Sequence, residues 1–181
     1  MAKSYGFVGL GELGGKLATS LAKAGFAVRV HDLDRARAAA PIEAGAVWAE
    51  SPGAAAEDAD GFVSCLPSPA ASDAVMTGKD GALAAMKPGS AWLEMSTSEA
   101  VEIRRLAALA AERGVETLEC PVTGGVHRAA QGEITVFVGG EAAVLQAHRP
   151  ALSAMCGPLF HLGPLGSASI LKVITNMLTF V

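Results

Sequence analysis

Aromatic residues make up only 5% of the chain, and cysteine occurs three times in 181 residues. With so few large rings the core must be filled by small aliphatic side chains, which suits helices packed closely on a buried sheet. Cys65, Cys120 and Cys156 are odd in number, widely separated and without the paired spacing of metal ligands. They read as small apolar residues of a reducing compartment, not as a disulfide framework or a metal site. Runs of Lys or Arg are missing and the net charge is −4, so the basic stripe of a nucleic-acid partner is not expected. The apolar stretch from Ser167 to Val181 is interrupted by Lys172 and Asn176, and it is shorter than the roughly 20 residues of a bilayer span. Met1-Ala2-Lys3-Ser4 leads into a short, glycine-broken apolar segment with none of the layout of a secretory signal. These absences lead to the expectation of a soluble, cytoplasmic protein with no membrane partner.

What is present is a chain rich in Ala, Gly, Val and Leu, 51% hydrophobic, and of a length that suits one domain with a sizeable core. Strand and helix signals alternate along it. Ser4 to Val8 reads as a short strand, Gly11 to Ala24 as a helix closed by Gly25, and Ala27 to His31 as a second strand. A short helix near Arg35 to Ala40 and a weak strand at Ala46 to Trp48 follow, and Ser51 caps a helix with Pro52 in its first turn. Further strands are expected at Gly61 to Leu66, Ala91 to Glu94, Thr117 to Cys120, Ile134 to Val138 and Leu159 to His161. Helices are expected from Glu99 to Arg113 and from Glu141 to Ala154. Strands alternating with helices imply a parallel sheet covered on both faces, a doubly wound α/β domain over residues 1–163. From Gly166 the pattern turns into a helix apolar on nearly every side, which expects burial. Nothing in the chain is left to bury it, so residues 164–181 read as the start of a helix leading out of the domain, in a longer protein or against a partner.

The most informative segment is Phe7-Val8-Gly9-Leu10-Gly11-Glu12-Leu13-Gly14, a Gly-x-Gly-x-x-Gly pattern after a strand and at a helix start. Gly9 permits the tight turn, Gly11 lets the backbone approach a pyrophosphate, and Gly14 allows close packing of helix on strand. Leu10, Glu12 and Leu13 complete the loop, whose helix N-terminus favours phosphate. A plain tight turn has the same composition, but the strand–loop–helix setting marks a dinucleotide-binding, Rossmann-type domain. Asp32 follows 23 positions after Gly9, where a carboxylate bonds the adenosine ribose and repels an added phosphate. The cofactor expected is therefore NAD, with NADP as the alternative because Arg35 stands nearby. A cap or turn role is the other reading of Asp32.

Candidates for the chemistry are fewer. His31, His127, His148 and His161 are scattered without partners by spacing and read as surface or turn residues. The only tyrosine, Tyr5, precedes the glycine loop, so a tyrosine proton donor is not expected. Lys172 lies in the most apolar helix, with Asn176 four residues on and hence on the same face. Burial would lower its pKa from roughly 10.4 toward the range useful for proton transfer, whereas a lysine that snorkels to solvent would do nothing. Thr123-Gly124-Gly125 follows a strand end, the edge where open α/β sheets bind ligands, and could form a small anion nest or be an ordinary turn.

Taken together, the motifs resemble the β-hydroxyacid dehydrogenase family, which includes 3-hydroxyisobutyrate dehydrogenase and tartronate semialdehyde reductase. The resemblance runs along essentially the whole chain. It rests on the glycine loop with its helix to Lys23-Ala24-Gly25, on Leu66-Pro67 with Ser96-Thr97, on Pro121-Val122-Thr123-Gly124-Gly125, and on Gly163-Pro164-Leu165-Gly166 leading to Lys172 and Asn176. It implies that Lys172 is the catalytic acid/base and that Asn176 holds the substrate. It also implies that Thr123, Gly124 and Gly125 grip a carboxylate, and that Leu66, Pro67, Ala71 and Thr97 line the cofactor cleft. The implied reaction is hydride transfer between nicotinamide and a small 3-hydroxy acid or its semialdehyde. An all-helical C-terminal domain would follow residue 181 and would make the oligomer contacts, with a homo-oligomer implied. Thr123 replaces the family's usual Ser, and His127-Arg128-Ala129-Ala130 replaces its usual Gly-Ala continuation. Either the turn differs there or the Arg128 guanidinium reaches toward an acidic substrate. An imine reductase of related architecture is the rival, disfavoured by Lys172, and a non-catalytic NAD-sensing module is the alternative of a different class.

Overall fold

The computed structural model describes residues 3–179. Six strands form a wholly parallel sheet: β1 (Ser4–Val8), β2 (Ala27–His31), β3 (Val47–Trp48), β4 (Gly61–Ser64), β5 (Ala91–Glu94) and β6 (Glu116–Glu119). Their spatial order is β3-β2-β1-β4-β5-β6. The order reverses beside β1, which pairs with β2 on one side and β4 on the other, and ligands of open α/β sheets bind in the crevice at such a switch point.

Successive strand residues face opposite sides, and two cores result. Tyr5, Phe7, Val63, Ala91 and Leu93 face one core, where they meet α1 (Gly14–Lys23) and α8 (Ala142–Met155). Val8, Phe62 and Trp92 face the other, filled by α3 (Pro52–Ala56), α5 (Ala82–Ala85) and α6 (Ala100–Ala111). Helix α1 forms because Leu17, Ala18, Leu21 and Ala22 recur on one face, and the first three are wholly buried. Each such leucine contributes roughly 1.5–3 kcal/mol.

The structure departs from the sequence reading in several places. Residues 134–138 and 159–161 leave the main sheet for a second one, in which β7 (Val122–Thr123) pairs antiparallel with β8 (Thr135–Val138), and β8 parallel with β9 (Leu159–His161). Pro121 after β6 cannot donate to a ladder, and one bridge, Glu119 to Gly139, joins the two sheets. Helix α4 (Pro69–Thr77) was not expected, although Ser68 accepts from the Ala71 amide at 3.2 Å with proline in the first turn. Ser51 does the same for α3. A short helix α7 (Gly125–Ala130) follows the Thr123–Gly125 turn, where no helix was expected. Finally, His148 is 3% exposed rather than a surface residue.

His148 Nδ1 lies 3.0 Å from the Tyr5 hydroxyl, across the contact between α8 and β1. Burial pushes Tyr5 up to about 12 and His148 down to about 4, with Lys3 adding to the latter and Asp60 opposing it. The imidazole is thus neutral in the fold, while the unfolded chain, near 6.5, binds a proton earlier. Stability from this pair is intact above pH ~6.5 and falls as pH drops through ~4, by on the order of 3 kcal/mol in all. Urea denaturation between these pH values should show a loss that His148→Gln largely removes; an unchanged slope in the variant would contradict the pairing.

Candidate functional site

The glycine loop joins β1 to α1 at the switch point. Gly9 has φ +94°, and its amide bonds the His31 carbonyl at 3.1 Å. A Cβ at Gly9 would overlap the Cys65 carbonyl, and one at Gly14 would overlap the Gly9 carbonyl. Only Arg37 Nη1, at 3.6 Å, would lie near a Cβ on Gly11. Two glycines are therefore demanded by the protein's own packing, and the third faces open space. That division is what a loop cradling a pyrophosphate requires. Helix α1 begins without a side-chain cap and without an acid in its first turn, leaving its N-terminus to an external anion. A dinucleotide fits this arrangement.

Asp32 stands just past β2. Its Oδ2 accepts the Leu10 amide at 2.6 Å and its Oδ1 the Asp34 amide at 3.0 Å, so the carboxylate is tied to the loop. Arg35 is turned away, 5.3 Å above the Trp48 ring and 3.6 Å from Glu50. The arginine that approaches the loop is Arg37, which the sequence reading did not single out. It shares a second, open cleft of about 580 Å³ with Leu10, Gly11, Glu12 and Asp34.

Beyond the carboxyl ends of β4, β5 and β6 lies a cleft of about 280 Å³. Lys172 and Asn176, from α9 (Ser167–Thr179), border it together with the Thr123-Gly124-Gly125 turn, Leu66, Thr97 and Leu13. Residues far apart in sequence thus converge on one space. Gly124 and Gly125 both have positive φ, +121° and +78°, which bends the chain sharply beside the cleft. Lys172 is buried, and burial alone holds its pKa below the ordinary lysine value.

Pro67 and Ala71 lie on the same sheet edge, in the turn after β4 and the first turn of α4, but outside this cleft. Arg128 is exposed; its aliphatic stem packs on Gly124, and it does not line the cleft. The sequence reading missed Cys65, Met95, Val122, Val126 and Ile134 as cleft walls, and Ser96 as more than part of a motif. It also missed Glu94, wholly buried beneath the rim. Glu94 accepts the Ser96 amide at 2.7 Å and the Ser64 hydroxyl at 3.0 Å, while Ser96 Oγ accepts the Leu66 amide at 2.8 Å. Burial raises the Glu94 pKa against the lowering effect of these donors. The detectable signal was an acid inside an apolar strand, Ala91-Trp92-Leu93-Glu94.

A switch-point glycine loop, a tethered acid after β2 and a cleft at the strands' carboxyl ends define a dinucleotide-binding domain of the kind that serves dehydrogenases. Residues 4–163 match the model of a family described as the NAD binding domain of 6-phosphogluconate dehydrogenase, and the chain belongs to that family. A relative named NAD-dependent L-serine dehydrogenase, from Pseudomonas aeruginosa, is 39% identical over 99% of this chain and 60% of its own length. A solved 3-hydroxyisobutyrate dehydrogenase of Mycobacterium tuberculosis with L-serine superposes with TM-score 0.91 at 31% identity, over 99% of this chain and 60% of that one. An imine reductase from Myxococcus stipitatus, in complex with NAD+, reaches TM-score 0.90 over 99% of this chain and 62% of that one, but at 20% identity the likeness is one of fold alone. The chain spans about 60% of the length of the relatives it matches. Among the described residues no helix is long and apolar enough to cross a membrane.

Gly14 and Gly11 should separate in mutagenesis. Gly14→Ala forces a Cβ into backbone and should cost about 1–3 kcal/mol in urea denaturation. Gly11→Ala should leave stability within about 0.5 kcal/mol. It should nevertheless weaken NADH binding, followed by fluorescence titration, by about tenfold, roughly 1.4 kcal/mol. Full affinity in Gly11→Ala would show that the open side of the loop is not where the pyrophosphate sits.

Proposed function

We propose that the chain carries the cofactor side and the catalytic lysine of an NAD-dependent dehydrogenase acting on a small 3-hydroxy acid or its semialdehyde. The observation that carries this reading is the convergence of Lys172, Asn176, Thr97 and the Thr123–Gly125 turn on one cleft. A nicotinamide held by the glycine loop would supply the hydride acceptor for oxidation and the hydride donor for reduction. Lys172 Nζ takes the hydroxyl proton in the oxidative direction and gives it back to the carbonyl oxygen in reduction. A neutral amine is needed for the first task, and the lowered pKa of the buried lysine supplies more of it near neutral pH. Asn176 orients the substrate, and the Thr123 hydroxyl with the amides of the glycine turn holds its carboxylate. Leu66, Pro67, Ala71 and Thr97 flank the cofactor.

The names of the relatives support the substrate class, since L-serine and 3-hydroxyisobutyrate are both acids with a hydroxyl on the third carbon. In this reading residues 164–181 lead into a further all-helical domain, through which a homo-oligomer forms. The exposed apolar side chains of Ile170, Val173, Ile174, Met177 and Leu178 on α9 support such a cover. Against an imine reductase stands Lys172 beside the Thr123–Gly125 turn.

In the complete protein, Lys172→Ala should lower kcat by about 10²–10⁴ and leave NADH affinity unchanged. Wild-type oxidation of 3-hydroxy acids should rise with pH through a midpoint below 10.5, because the base form of Lys172 is the active one. Retained turnover in Lys172→Ala would sink the lysine's role, and NADH binding without turnover on any hydroxy acid would favour a sensing module. Cofactor choice is tested separately: the Asp32 carboxylate should make NADPH bind more weakly than NADH in parallel titrations, and equal affinities would remove Asp32 as the selector.

A further inference from the structure

Lys172 works only if α9 stands in the right place, and the helix is anchored by a residue from another part of the chain. Glu119, the last residue of β6, is 1% exposed. Its Oε1 accepts the amides of Gly166 at 2.6 Å and Ala168 at 2.8 Å. Its Oε2 accepts the Ser169 amide at 3.2 Å and the Ser169 hydroxyl at 2.5 Å. One carboxylate therefore satisfies three amides at the start of α9, where the helix dipole favours negative charge, and does so through charge-assisted bonds.

The surroundings are shaped for this contact. The Glu119 backbone exchanges two hydrogen bonds of 3.0 Å with Gly139, where any Cβ would overlap the Glu119 carboxylate. Arg104 Nε bonds the Leu165 carbonyl at 3.0 Å, and its guanidinium covers Gly166. Ser169 is itself buried and lies one helical turn before Lys172, so the two point the same way. In the other direction along the chain, Glu119 is four residues from Thr123. It therefore links the end of β6, just before the turn, to the start of the lysine helix.

We propose that Glu119 is the positioning residue of this site: by capping α9 from β6 it sets the helix's rotation and height, and so holds Lys172 against the Thr123–Gly125 turn. The inference rests on the proposed catalytic role of Lys172. Glutamine in place of Glu119 keeps the shape but turns an NH₂ group toward amide donors, losing the bonds on one side.

The test compares Glu119→Gln, Glu119→Asp and Lys172→Ala in the complete protein. Glu119→Gln should lower kcat by about tenfold to a hundredfold, the cost of a misplacement near 1 Å, with NADH affinity unchanged. The pH midpoint of oxidation should move up as the loosened helix admits water to Lys172, and hydrogen exchange at Gly166, Ala168 and Ser169 should accelerate. Glu119→Asp should recover part of each effect. Wild-type kcat and midpoint in Glu119→Gln, beside an inactive Lys172→Ala, would overturn the positioning role alone. An active Lys172→Ala would overturn the proposed function and the catalytic meaning of Glu119 with it. Should Glu119→Gln not fold, Ser169→Ala removes only the hydroxyl bond to Oε2: a several-fold fall in kcat with a raised midpoint supports the role, and an unmoved midpoint overturns it.

Discussion

The carbonyl oxygen of Gly9 and the α-carbon of Gly14 approach so closely that no side chain fits between them. That contact seats the start of α1 against the end of β1. It places the uncapped helix N-terminus over the switch point of the sheet, and it lets Asp32 reach the Leu10 amide. The open side of Gly11, the position of Asp32 and the crevice beyond β4 all follow from where this one helix begins. The leucines of α1 then hold it down with their buried faces.

Polar groups are concentrated at the carboxyl edge of the sheet, each in a part of the interior where an unpaired charge would be costly. Glu94 is surrounded by donors from Ser64 and Ser96 and ties the cleft rim to Leu66. Glu119 is saturated by α9. Burial disfavours the charged form of Lys172, as it does that of Glu94. The two acids serve as fixed internal anchors, and Lys172 borders the cleft together with the glycine turn. The apolar cores on the two faces of the sheet make that polar edge rigid enough to be useful.

Much of this was legible in the chain. The glycine spacing, the acid after β2 and the lysine four residues before Asn176 are local patterns, and local patterns survive without a fold. Strands β1, β2, β5 and β9 fell where alternating apolar residues and glycine stops put them. Other features were not legible for specific reasons. The Ser68-Pro69 cap, in contrast, is as legible as Ser51-Pro52. His148 looked like a surface residue because its partner, Tyr5, is 143 positions away. Ile134–Val138 looked like another strand of the main sheet because periodicity reports a strand and not its neighbours.

By itself the sequence determined that this is a dinucleotide-type α/β domain, since a turn that only glycine can make and a face that only apolar residues can fill are properties of short segments. Tertiary structure alone decided that Arg37 and not Arg35 approaches the loop, that Arg128 stays outside the cleft, and that Glu119 holds the helix of Lys172. These are outcomes of which distant backbone groups meet. A hydrogen bond between residues 47 to 50 positions apart leaves no periodic trace in either segment, because each end satisfies a partner that only folding brings within reach.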